Sequence, residues 1–186
     1  MNLTLGKLKS LFHMQVAMHR LCSVTLTTNG RFMAASAPKI GDHAPEFSLP
    51  GSDGRTLTLG GFAGSKLVLY FYPKDDTSGC TLESMDFNRL RSAFEAKGAL
   101  VVGVSPDSPK SHDKFKAKHG LSLDLVSDEE KSMLAAYGVW VEKSMYGRKY
   151  MGVERSTFLI DSSGIITNIW SKVKVAGHAE EVLAAL

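Results

Sequence analysis

Six apolar residues, Leu67-Val68-Leu69-Tyr70-Phe71-Tyr72, run without a polar interruption and stop at Pro73. A run of that length bounded by turn residues predicts a strand covered on both faces. Behind it, Leu82 to Phe94 has helical periodicity, with Thr77 as a good N-cap and an end near Lys97-Gly98. Leu100–Val104 predicts a second buried strand. Ser108 and Pro109 read as the N-cap and first residue of a helix that Gly120 closes. Leu123–Val126 is a further apolar run, and Ser127-Asp128-Glu129-Glu130 reads as a capping box for a helix ending at Gly138. Hairpins are expected around Pro50-Gly51-Ser52-Asp53-Gly54 and, between Arg155–Ile160 and Ile165–Trp170, around Asp161-Ser162-Ser163-Gly164. Ala179, Val182, Leu183 and Leu186 share one face of a last helix. Strands alternating with helices, then a hairpin and a helix, predict α/β layers around a mixed sheet.

At 186 residues the chain is long enough for one well-buried domain and short for two. The formal charge of +3 could suggest a nucleic-acid partner, but its distribution argues against one. Residues 1–36 hold Lys7, Lys9, Arg20 and Arg31 and no acid, leaving 18 basic against 19 acidic residues elsewhere. The acid-poor extension reads either as a mis-assigned start, with translation beginning at Met33, or as an organelle transit peptide, and in both cases as disordered or absent. The domain is then residues 37–186. His13, Gln15, His19 and Arg20 break any apolar core for a secretory signal, and no run is long enough to span a membrane. A cytoplasmic location is expected, or a mitochondrial or plastid one if the extension targets an organelle. The only cysteines are Cys22 and Cys80, which excludes a disulfide scaffold and a Cys-rich zinc site and suits a reducing compartment. His112 and His119 lack neighbours at metal-ligand spacing and are expected on the solvated surface. No dinucleotide fingerprint is present, so neither metal nor cofactor is expected.

Cys80 carries the chemistry. Three residues past the Thr77 cap it falls in the first helical turn, where unpaired amides and the helix dipole favour an anion. Such a location lowers the pKa of a thiol and makes its nucleophilic thiolate available. The alternative is a buried structural cysteine, which behaves as a small hydrophobe.

The spacing Pro73-x-x-x-Thr77-x-x-Cys80 resembles the peroxidatic motif of the peroxiredoxins. Its context, Tyr70 to Asp75 and Thr77 to Thr81, is similar to the bacterioferritin-comigratory or peroxiredoxin Q branch. The likeness covers about residues 39–186 and includes Gly41–Phe47, Tyr137-Gly138-Val139-Trp140 and Arg155–Asp161. It implies a thioredoxin-like fold and a thiol peroxidase acting on hydrogen peroxide and organic hydroperoxides. It also implies catalytic roles for Cys80, Thr77, Pro73 and Arg155. Cys80 is the nucleophile, and the Thr77 hydroxyl can both donate and accept. Pro73 would stiffen and shield the entrance. Arg155, assigned by the resemblance alone, would supply a permanent cation with a rigid donor fork. Arg148 and Lys149 are fallback cations that read as solvated loop residues, and Glu83 reads first as a helix cap.

The chain departs from the family pattern twice. Ser78 stands where many members have proline. Met85 and Lys116 occupy the two positions where this branch holds a resolving cysteine. The expectation is therefore a one-cysteine cycle recycled by thioredoxin or by glutathione with glutaredoxin, in a monomer or weak homodimer. A thiol–disulfide oxidoreductase is disfavoured because no C-x-x-C pair exists. A redox sensor or holdase that oxidises once at Cys80 is the non-catalytic alternative.

Overall fold

Alternation along a single strand divides the core in two. In the computed structural model, which describes residues 37–145 and 147–186, β3 (Lys66–Phe71) is the centre of a five-stranded sheet. Leu67, Leu69 and Phe71 point to one face, with Val102, Val104, Phe158 and Ile160. Val68, Tyr70 and Tyr72 point to the other, with Phe87, Phe94 and Phe115. Both faces are covered, which is why the strand reads as one unbroken apolar run.

The sheet also contains β4 (Ala99–Ser105), β5 (Asp124–Ser127), β8 (Ser156–Ile160) and β9 (Ile166–Ser171), in the order β5-β4-β3-β8-β9. The β3–β4 and β4–β5 pairs are parallel, and the β3–β8 and β8–β9 pairs are antiparallel. The sheet is mixed, as the sequence predicts. One face packs on α1 (Ser78–Arg89), α2 (Arg91–Ala96), α3 (Pro109–His119) and α5 (His178–Ala184) through Phe87, Phe94, Phe115 and Val182. The other carries α4 (Ser132–Ala136) through Met133 and Leu134. The predicted first hairpin is β1 (Ser48–Pro50) with β2 (Thr56–Thr58). No described helix is long and apolar enough to cross a membrane.

Three elements differ from the sequence expectation. The helix after Cys80 is two helices, because Leu90 adopts φ −92° and ψ 2° and interrupts the helical backbone. The capping box is not formed: Ser127 belongs to β5, and the Asp128 carboxylate accepts the amides of Ser132 and Leu134 at 3.0 and 2.7 Å. A hairpin of β6 (Trp140–Met145) and β7 (Arg148–Val153) occupies what read as loop.

Packing also fixes α1. Tyr70 on β3 donates to Ser84 Oγ at 3.0 Å and stacks on Phe87 with ring centroids 4.8 Å apart. Its parallel neighbour is Gly103, where a Cβ would lie 2.6 Å from the Tyr70 ring, so only glycine admits the aromatic there.

Candidate active site

Sheet topology explains how residues far apart in sequence meet. β3 and β4 run parallel, so the segments after both leave from one edge of the sheet. β8 pairs antiparallel with β3, with Ser156 opposite Phe71, and therefore begins at that same edge. Arg155 immediately precedes Ser156. The loop Pro73–Thr77 and the start of α1 lie beyond Phe71, so the register brings Arg155 to Cys80. Ligand sites in open α/β sheets collect at this carboxyl edge.

Cys80 occupies the third position of α1, and its residue is 1% exposed. The first amide with a helical acceptor is that of Thr81, which donates to Thr77 O at 2.8 Å. The amides of Ser78, Gly79 and Cys80 precede it at the positive end of the helix. Arg155 Nη2 donates to Cys80 Sγ at 3.2 Å. A buried sulfur facing a guanidinium differs from an inert core thiol, which sits among apolar groups.

A second guanidinium nitrogen of Arg155, Nη1, pairs with Glu83 Oε2. Glu83 is not the helix cap that its sequence position suggests: its side chain is 2% exposed and aligned against the arginine. The signal was available: residue 83 is three after residue 80 and shares its helical face. Burial pushes the Glu83 carboxyl up to about 7, although the Arg155 charge and hydrogen bond pull it down. Glu83 Oε1 is buried without a hydrogen-bond partner. Burial opposes the charge on Arg155, but Glu83 and the Cys80 sulfur outweigh it and hold the guanidinium above its usual pKa.

Thr77 has the extended backbone of an N-cap, but its hydroxyl does not cap the helix. It donates to Lys74 O at 3.1 Å, which leaves the oxygen lone pairs free to accept. Pro73 is exposed two residues beyond β3. Arg148 and Lys149 lie on the exposed β7 strand rather than in a loop, and Lys149 pairs with Glu142 at 2.9 Å.

The histidine expectation is corrected. His112 is completely buried and meets Asp75 of the Cys80 loop, with Nδ1 2.9 Å from Oδ2. His119 is largely covered and meets Asp76 at 2.8 Å. Of the two positions where a resolving cysteine could stand, Met85 is exposed on α1. Lys116 is tied to Ser52 Oγ at 3.0 Å and Asp53 Oδ2 at 2.7 Å. Cys22 and residues 1–36 lie outside the described residues. No cluster of metal-binding side chains is found among the described residues. A cavity of about 420 Å³ lies near Leu67 and Ile160, at the opposite ends of β3 and β8 from Cys80.

With this geometry in view, the relatives decide the family. The AhpC/TSA family model matches residues 40–169. The chain belongs to the AhpC/TSA peroxiredoxin family. Within it, the chain is 52% identical over 145 residues to the peroxiredoxin Bcp of Xanthomonas campestris, covering 77% of this chain and 91% of that protein. It is 47% identical over 148 residues to the peroxiredoxin Bcp of Bacillus subtilis, covering 80% and 94%. Among solved structures, a cysteine-to-serine mutant of Xylella fastidiosa PrxQ aligns with a TM-score of 0.77 at 45% identity, covering 81% of this chain and 96% of that one. The bacterioferritin comigratory protein of Xanthomonas campestris, described for its alkyl peroxide reduction activity, aligns at 0.72 and 51%, covering 75% and 88%. The fold is therefore thioredoxin-like, and the protein is a peroxidase of the oxidoreductase class.

Proposed function

We propose that this peroxiredoxin reduces hydrogen peroxide and organic hydroperoxides through Cys80 and is recycled by an outside thiol. The observation that carries the reading is the Arg155 guanidinium donating to the Cys80 sulfur at the start of α1. The thiolate attacks one peroxide oxygen, so the S–O bond forms as the O–O bond breaks. Sulfur gives up the electron pair, and the departing oxygen leaves as hydroxide or alkoxide and takes a proton from water. The products are Cys80 sulfenic acid and water or an alcohol. Negative charge moves from sulfur to the departing oxygen, so fixed donors on both act throughout. Arg155 and the first-turn amides supply them, Thr77 accepts a peroxide O–H, and Pro73 shields the entrance.

A reducing thiol then condenses with the sulfenic acid to a mixed disulfide and water, and a second thiol releases Cys80. Met85 and Lys116 at the resolving positions support a one-cysteine cycle. Thioredoxin and glutathione with glutaredoxin are the candidate reductants, and a cytoplasmic monomer or weak dimer fits this role.

The test is peroxide consumption with each reductant system. Many equivalents consumed per Cys80, none by Cys80→Ser and an unchanged rate in Cys22→Ser support the reading. One equivalent and no more would identify a sensor instead.

A further inference from the structure

The cavity beside Leu67 and Ile160 has no part in the chemistry of Cys80. Leu67 pairs with Ile160 at one end of β3 and β8, and Phe71 pairs with Ser156 at the other. Leu67 and Phe71 are four residues apart, about 13 Å along the strand, and Cys80 lies beyond Phe71. The cavity volume of about 420 Å³ falls within the roughly 300–1,000 Å³ of small-molecule sites. Residues from three segments, 43–46, 59–67 and 160–164, wall it. Backbone bonds join these segments: the Ala44 amide donates to Gly164 O at 2.9 Å, and the Gly64 amide donates to Ser162 O at 3.3 Å. His43 adds a bridge to Ile165. The walls are therefore fixed by the fold and need no ligand to form.

The lining has two characters. Ala44, Leu67 and Ile160 belong to the buried core, and Leu59 and Phe62 pack half-buried against it. An apolar body seated on these side chains leaves water, which favours its binding. The polar part of the lining is acidic. Glu46 and Asp161 border the cavity, and no lysine or arginine does. Asp161 Oδ1 accepts the amides of Ser163 and Ile165 at 2.8 and 3.0 Å, which fixes the carboxylate in place. Asp161 Oδ2 and both Glu46 oxygens accept no hydrogen bond and meet no cation among the described residues. His43 adds a ring whose unprotonated nitrogen can also accept.

Two carboxylates without a basic partner decide the sign of the ligand. An anion placed here would meet like charges, and a neutral molecule would leave both acids unused. We propose that this cavity is a second binding site, separate from the peroxide site, for a small organic cation: a primary ammonium carried on a compact apolar body. The body lies against Leu59, Phe62 and Leu67. The ammonium, with three N–H donors, bonds Glu46 and the open oxygen of Asp161. Nothing in this site depends on the peroxidase reading of Cys80.

The test titrates the full-length protein with tryptamine, an indole bearing an ethylammonium, and follows backbone amide chemical shifts. Saturable binding is expected with a Kd of about 0.1–1 mM, ordinary for a ligand of about a dozen heavy atoms. The shifts should centre on Gly60, Ala63, Ser163 and Gly164 and leave Gly79 and Cys80 unmoved. Indole-3-propionate, which ends in a carboxylate, should bind about ten-fold more weakly or worse. Glu46→Gln combined with Asp161→Asn should weaken tryptamine about ten-fold, the factor a charge-assisted hydrogen bond carries. The same variant should bind the neutral alcohol tryptophol as the parent does. Asparagine keeps the Oδ1 acceptor for the Ser163 and Ile165 amides. If the double variant does not fold, the comparison of amine with acid on the parent protein decides. No saturable shift up to about 10 mM tryptamine overturns the proposal, as do shifts centred outside the cavity. Equal affinity for amine and acid also overturns it, and so does an equal loss of tryptamine and tryptophol in the double variant.

Discussion

Replacing Arg155 with methionine removes the guanidinium from the sulfur while keeping an unbranched side chain of similar reach. Nη2 lies 3.2 Å from Cys80 Sγ, and the arginine side chain is 15% exposed, so solvent screens the contact little. Opposite unit charges at that distance attract by about 5 kcal/mol at an effective dielectric constant near 20. Two features reduce this. The guanidinium charge is delocalised, and Glu83 engages its other end. Hydrogen bonds to charged groups contribute about 1.5–3 kcal/mol net. The expected loss is therefore roughly 10- to 100-fold in the rate constant for peroxide at neutral pH. Stopped-flow fluorescence or competition with a haem peroxidase measures that constant directly. Arg155→Lys should fall between parent and methionine, because it keeps a charge but loses the planar fork. An Arg155→Met rate equal to the parent's refutes the assignment of the arginine.

Glu83 gives a pH prediction. Its folded pKa of about 7 lies above its usual 4.5, so folding favours the protonated form. That contribution is complete below pH 4.5 and is lost as pH rises through about 7. The shift corresponds to a loss on the order of 3 kcal/mol, so Glu83→Gln should gain stability relative to the parent between pH 5 and 8 in urea titrations, and equal pH slopes contradict this. Phe87 is fully buried against Tyr70 and Phe94, so Phe87→Ala should cost about 3–5 kcal/mol of unfolding free energy; a loss below about 1 kcal/mol contradicts the packing account. Thr77→Val keeps shape but removes the hydroxyl, and should slow the peroxide step about ten-fold with little change in Tm.

What the sequence made legible followed from local rules. The β3 run, the Ser108-Pro109 start and Gly120 end of α3, and the hairpins flanking Gly51–Gly54 and Asp161–Gly164 depend on neighbours in the chain, and the structure has them. The β6–β7 hairpin left little pattern because most of its residues are exposed or half-buried on both faces, which erases the alternation a strand normally shows. In the site, Cys80 could be placed from its cap. Contact between Arg155 and Cys80, 75 residues apart, depends on the antiparallel register of β8 against β3, which no local rule supplies. His112 read as surface because polar neighbours surround it in sequence. Its burial is made possible by Asp75, a partner 37 residues away whose carboxylate satisfies Nδ1.

The central claim is that Cys80 is the residue peroxide oxidises. It is tested most directly by mass spectrometry of protein treated with one equivalent of peroxide and dimedone, a trap for sulfenic acid. The account predicts a peroxide-dependent adduct on the peptide holding Cys80, and neither adduct nor peroxide turnover in Cys80→Ser. Undiminished turnover in Cys80→Ser would contradict it.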